Sequence, residues 1–273
     1  MKNIVQRTIT GGLFGILVFG SLFAGSIWFF SFYLILLVLA LFEFFRLLEE
    51  TGIAAQKYTA IIVSVLLFTL FFGYSSGFAS PELLFLILLI PPLIMIFGLY
   101  RQDGGSFGSI LWTFLGIIYV ALPLSLLSLL VFPFWKSGYL YEPGVAAGVF
   151  IMIMLNDTVA YLVGVPLGRH RLFERVSPKK SWEGTIGGGI AVLAGSLFMS
   201  DLFPVLERIN WIALAAIVVV FGTYGDLVES LLKRVAGIKD SGTLLPGHGG
   251  ILDRVDAWFF VVPAVLVYLS LTF

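Results

Sequence analysis

The chain has 273 residues, 59% of them hydrophobic and 12% charged, too apolar a balance for one water-soluble core. Sixteen basic and sixteen acidic residues cancel, which argues against a general nucleic-acid binder. The lack of cysteine excludes disulfides, thiolate zinc sites and a cysteine nucleophile, and having only His170 and His248 excludes a histidine-rich metal centre.

A membrane-spanning helix needs roughly 20 mainly apolar residues. That rule places spans at about 8–24, 27–46, 58–76, 82–100, 106–132, 143–167, 184–203, 209–229 and 256–272. The expected fold is all-α, a polytopic transmembrane helical bundle of about nine spans forming a single integral membrane domain over 1–273. Lys2 and Arg7 precede the first apolar run as in a signal peptide, but no clear small-x-small cleavage site follows, so the run reads as a retained span. Pro91-Pro92 predicts a kink in the fourth span, because proline removes a backbone donor. The spans up to residue 132 have no assigned role, and the expected chemistry falls within 143–273.

Orientation follows from the basic residues. With the N-terminus cytoplasmic, only Lys136 and Arg208 of the sixteen lie outside, so the positive-inside rule favours nine spans and an external C-terminus. Trp28, Trp135 and Trp211 then fall near outer ends, and Trp112, Trp182 and Trp258 near inner ends. The localisation expected is integral to a cell inner membrane, with the chemistry facing the cytoplasm.

Asp157 lies inside the sixth span beside Asn156, about ten residues or ~15 Å from its cytoplasmic end. An ionisable residue there usually faces a polar cavity or a partner, although a salt-bridged Asp that joins helices is the bland alternative. Asp226, Glu229, Ser230 and Lys233 follow helical spacing and form one polar face of the eighth span. Asp253 and Asp256 stand one turn apart at the start of the ninth. Carboxylates gathered near lipid repel unless protonated, paired or bridged by cations, and hard oxygen donors point to magnesium. Ion pairs with Lys233, Arg234, Lys239 or Arg254 satisfy the same charges without metal. Lys179 and Lys180 add cations, and Gly247, Gly249 and Gly250 permit close backbone approach to phosphate. There is no Walker A motif. SPKKSWEG reads as a turn and a helix start capped by Ser181 or Glu183, and Gly184, Gly187, Gly188, Ala191 and Gly195 read as a packing face.

SLLKRVAGIKDSGTLLPGHGGILDRVD, Ser230 to Asp256, resembles the signature of the phosphatidate cytidylyltransferase (CDP-diacylglycerol synthase) family. NDTVAYLVGVPLGRHRLFERVSPKKSWEG, Asn156 to Gly184, is similar to a second element of that family, with Ser181 where threonine is usual. The resemblance covers the C-terminal half; the first five spans share only hydrophobicity.

It implies attack by a phosphatidate oxygen on the α-phosphorus of CTP, giving CDP-diacylglycerol and pyrophosphate. The nucleophile is already ionised, so positioning and charge neutralisation suffice. The implied catalytic residues are Asp226, Lys233, Arg234, Lys239, Asp240, His248, Asp253, Arg254 and Asp256. Asp226, Asp253 and Asp256 are the metal-associated carboxylates, for Mg2+ with room for a second cation. Asn156, Asp157, Ser177, Lys179, Lys180, Glu183, Gly249 and Gly250 are the implied substrate-binding residues. The partners implied are CTP, phosphatidic acid and the lipid bilayer, with no nucleic acid and a homodimer left open. A CTP-dependent lipid kinase and a membrane transporter are the alternatives.

Overall fold

The structure is a computed structural model describing residues 2–100, 107–136, 138–238, 241–242 and 249–273, with side chains from Thr10 onward. Lys239, Asp240, Gly247 and His248 lie outside the described residues. The chain divides into two compact units, Met1–Tyr141 with Val235–Val255, and Glu142–Arg234 with Asp256–Phe273.

The first unit begins with α1 (Lys2–Phe23) and α2 (Ser26–Glu50), parted at Gly25, whose φ of 117° suits a residue without Cβ. Next comes α3 (Lys57–Ser75). Aromatic rings join α2 to α3, with Phe30 and Phe72 centroids 4.8 Å apart and the buried Phe29 beside Phe68.

The fourth span begins as a 3-10 helix over Pro81–Leu89 and becomes α4 (Ile90–Leu99) at the prolines. Pro91 and Pro92 have no N–H for the carbonyls four residues back. Ile90 instead donates to Ile87 O, the tighter 3-10 pattern, so the disturbance predicted as a kink is a change of helix type. A similar irregularity precedes Pro123: α5 (Phe107–Gly116) passes through a π-helical turn, Ile117–Ala121, into α6 (Leu122–Val131). Gln56, ahead of α3, ties these helices together. Its N–H donates to Thr113 Oγ1 at 2.9 Å and its side-chain amide to Ile94 O at 3.2 Å.

The second unit holds α7 (Gly144–Leu167), β1 (Arg171–Phe173), β2 (Ser177–Ser181), α8 (Trp182–Ser196), α9 (Met199–Leu202), α10 (Arg208–Val235, to Arg234) and α11 (Leu252–Thr272, from Asp256). The strands form an antiparallel pair with Arg171 opposite Ser181 and Phe173 opposite Ser177. The segment expected to be a loop and turn is therefore a small hairpin, an exception to the all-α pattern.

Helices α7 and α8 meet through glycine. A Cβ at Gly188 would stand 2.7 Å from Asn156 O, and one at Gly184 would stand 2.6 Å from Ala160 O. Those distances leave no room for larger residues, and the short approach lets two apolar helices share dispersion contacts along their length. Trp211 is fully buried against Gly148, and Trp258 stacks on Phe150 with centroids 3.9 Å apart. Both tryptophans, expected near membrane interfaces, are core residues.

Among the described residues, seven helices are long and apolar enough to cross a membrane: Ser26–Glu50, Lys57–Ser75, Pro81–Leu99, Phe107–Val131, Gly144–Leu167, Arg208–Val235 and Leu252–Thr272. They correspond to seven of the nine expected spans. The run at 8–24 forms the apolar part of α1, Thr10–Phe23, and is shorter. The run at 184–203 divides into α8, with 15 residues, and α9, with 4.

Candidate active site

In the second unit a polar group forms inside otherwise apolar helices. Asp157 comes from α7, Lys180 from β2, Asp226 from α10 and Asp256 from α11. Lys180 Nζ is ion-paired with Asp226 Oδ2. Asp226, Asp157 and Lys180 all lie within electrostatic reach of Asp256. Ser230 donates to Asp226 Oδ1 at 3.3 Å, so both oxygens of that carboxylate are engaged. Gly225 lets α10 approach the start of this stretch of α11: a Cβ there would lie 2.9 Å from Asp256 O. One cation among three carboxylates leaves the group net negative, the balance that attracts a divalent cation.

One turn further along α10, the buried Glu229 accepts an ion pair from Lys233 at 2.5 Å. Arg234 Nε donates to Val176 O at 3.4 Å, linking the end of α10 to the residue before β2. The basic residues expected to hold phosphate thus have partners of their own: Lys180 is paired with Asp226 and Lys233 with Glu229.

Ser181 caps α8, accepting from Gly184 N at 3.2 Å, as the capping alternative predicts. A Cβ at Gly168 would come within 2.6 Å of Ser181 Oγ, so the cap is wedged against the end of α7. Glu183 accepts from the backbone N–H of His170, and its Oε1 lies 2.7 Å from His170 Nδ1. Its own backbone N–H and the His170 ring pull its carboxyl down to about 2. Glu183 therefore staples the hairpin to α8. Lys179 is exposed and Ser177 half-buried on β2, whereas Asn156 is buried against Gly188 in the helix interface.

Asp253 belongs to the first unit, with Gly249, Gly250 and Arg254. Its Oδ2 accepts from Ser241 N at 3.1 Å, Ser241 Oγ at 2.9 Å and Gly250 N at 2.8 Å. An acidic side chain in the first turn of α11 thereby receives donors from the chain leading into that helix, as capping residues do. Gly249 has a φ of 82°, and Arg254 is exposed.

Glu43, to which no role is assigned above, also enters this group. It is 4% exposed, and its Oε2 accepts from Leu252 N at 2.8 Å. The signal that would have found it is the one used for Asp157, an acidic residue inside an apolar span, here Phe42-Glu43-Phe44.

The donor chemistry of Asp157, Asp226 and Asp256 suits a hard divalent cation, because all three offer carboxylate oxygens. Among the described residues, no three His, Asp or Glu side chains already form a ligand shell around one point.

Known proteins similar to this chain point in one direction. A protein of Staphylococcus haemolyticus named phosphatidate cytidylyltransferase is 46% identical over 123 residues, covering 44% of this chain and 46% of that protein. Proteins with the same name from Staphylococcus epidermidis and Staphylococcus aureus are 44% and 47% identical over 125 and 123 residues, covering 45% and 44% of this chain and 48% and 46% of theirs. The similarity thus spans about half the length of these relatives. The sequence profile of the cytidylyltransferase family matches residues 5–272, nearly end to end, and the chain belongs to the cytidylyltransferase family.

Proposed function

We propose that the protein transfers CMP from CTP to phosphatidic acid, giving CDP-diacylglycerol and pyrophosphate. The reading is carried by Lys180 paired with Asp226 beside Asp157 and Asp256, in a chain of the cytidylyltransferase family. The similarity to phosphatidate cytidylyltransferases supports the choice of acceptor. Asp226 and Asp256 would hold magnesium, whose bound charge would neutralise the triphosphate. Asp157 adds negative charge behind them. Lys180 is held by Asp226 where it can meet a phosphate oxygen, and Lys233 and Arg234 extend the cationic surface along α10. The acceptor phosphate needs no general base, since it is already ionised near neutral pH. The side chains therefore act by orientation and charge complementarity.

The test is acceptor dependence. Purified protein given CTP and magnesium should form CDP-lipid with phosphatidic acid and none with diacylglycerol. Product from the unphosphorylated lipid, or none from either, would overturn the assignment.

The proposed orientation has the N-terminus and residues 168–183 cytoplasmic and the C-terminus external, as the basic residues favour; it requires α1, and α8 together with α9, to cross the bilayer beside the seven long helices. Because the chain lacks cysteine, single cysteines at Glu174 and Phe273 can report it. An impermeant thiol reagent applied to intact cells should label position 273 and spare 174. The reverse pattern contradicts the orientation.

A further inference from the structure

We propose that Glu43 is a positioning residue for the transfer reaction: from α2, its carboxylate fixes the segment that leads into α11 and carries Asp253. The role rests on the functional reading above, but the contacts behind it are independent of that reading. Glu43 Oε2 accepts from Leu252 N at 2.8 Å and from Ser241 Oγ at 3.3 Å, residues 209 and 198 positions away in sequence. Ser241 and Gly250 also donate to Asp253, so one hydroxyl links the two carboxylates.

The backbone closes tightly around this group. A Cβ at Gly242 would stand 2.6 Å from Glu43 Oε1, and one at Gly250 would stand 2.3 Å from Oε2 and 2.2 Å from Ser241 Oγ. Only glycine fits at either position without displacing the carboxylate. Leu252 is the first residue of α11, and its N–H is one of the donors that a helix leaves without an internal acceptor. Glu43 supplies that acceptor and sets a negative charge at the positive end of the helix. On α2, Leu41, Phe44 and Phe45 are buried around it. A leucine would meet the packing need of such a site, whereas a buried carboxylate is costly unless its hydrogen bonds matter. Those bonds go to the segment that holds Asp253, a carboxylate that the family resemblance implies for catalysis.

The experiment uses the full chain in detergent, following CDP-lipid formation at varied CTP and, separately, tryptic cleavage after Arg254. Glu43→Ala should lower kcat by up to about 10²-fold, the effect of misplacing a site by roughly 1 Å. KM for CTP should move far less, and cleavage should accelerate. Glu43→Gln keeps a carbonyl for Leu252 N–H and should restore most of kcat and of the protection. Gln56→Leu, which removes a different buried polar anchor of the same unit, should lower Tm with kcat and cleavage unchanged. Wild-type kcat and cleavage in Glu43→Ala would overturn the proposal. So would a loss of kcat that Gln56→Leu reproduces at equal loss of Tm. If Glu43→Ala does not survive purification, Glu43→Asp, one methylene short, carries the same comparison. If the wild-type chain forms no CDP-lipid, the functional reading fails, and accelerated cleavage alone then decides whether Glu43 holds the segment.

Discussion

Asp226→Asn is expected to lower turnover by about 10²- to 10³-fold while the protein stays inserted and folded. The substitution keeps the shape of the side chain and removes its charge. Lys180 then loses its ion-pair partner, and Asp256 loses a neighbouring carboxylate with which to share a cation. Asparagine can still accept from Ser230, so helix α10 keeps that contact, and the loss should fall on the reaction more than on Tm. Removing the cation instead, as in Lys180→Met, leaves three carboxylates without it and should also cut turnover. Unpaired charge inside a helical bundle is expensive, however, so that variant should lose stability as well. The measurement is kcat against Tm for Asp226→Asn, Asp256→Asn and Lys180→Met in one detergent. Near-normal turnover in both Asp→Asn variants would remove these carboxylates from the mechanism.

Hydropathy alone read the long helices well, because an apolar run of sufficient length has few other stable solutions in a bilayer. The seven long spans arise in this way, and α10 differs mainly in running on to Val235, past the expected end at 229. The run at 184–203 was legible as apolar but not as broken. Leu197 and Phe198 separate α8 from α9, and the glycines at 184, 187 and 188 give α8 a face packed on α7, a tertiary feature that hydropathy does not register. The hairpin of β1 and β2 was hidden by its charge. Arg171, Lys179 and Lys180 read as a positive-inside loop, whereas the pairing rests on backbone bonds that composition does not encode.

The site was partly legible for a related reason. Helical spacing put Asp226, Ser230 and Lys233 on one face, and the Ser230 bond to Asp226 follows from that spacing. The pairing of Lys180 with Asp226 joins residues 46 apart, 180 and 226, on different elements, so no local pattern announces it. Glu43 was passed over because the first five spans were given no role, although a lone acid between Phe42 and Phe44 carries the same signal as Asp157. Trp211 and Trp258 show the opposite error. Their position in sequence suggested an interface, while their bulk is used to fill the second unit against Gly148 and Phe150.

Which phosphorus of CTP is attacked separates cytidylyl transfer from phosphoryl transfer, although both reactions use the same nucleotide and the same kinds of side chain. A phosphatidate oxygen bonding to the α-phosphorus breaks the bond to the β-phosphate, so CMP stays on the lipid and pyrophosphate leaves. A lipid kinase instead moves the γ-phosphate to a hydroxyl and releases CDP. The cationic residues of the second unit, Lys180, Lys233 and Arg234, can stabilise charge on either leaving group, so membership of the cytidylyltransferase family is what favours the first outcome. The direct measurement is the fate of label from α-32P-CTP and γ-32P-CTP incubated with the protein, magnesium, phosphatidic acid and diacylglycerol, which supplies the hydroxyl a kinase would need. Cytidylyl transfer predicts α-label in the lipid and γ-label in pyrophosphate, with the two products in equal amounts. Label from the γ-position in the lipid, with α-label recovered as free CDP, would contradict it.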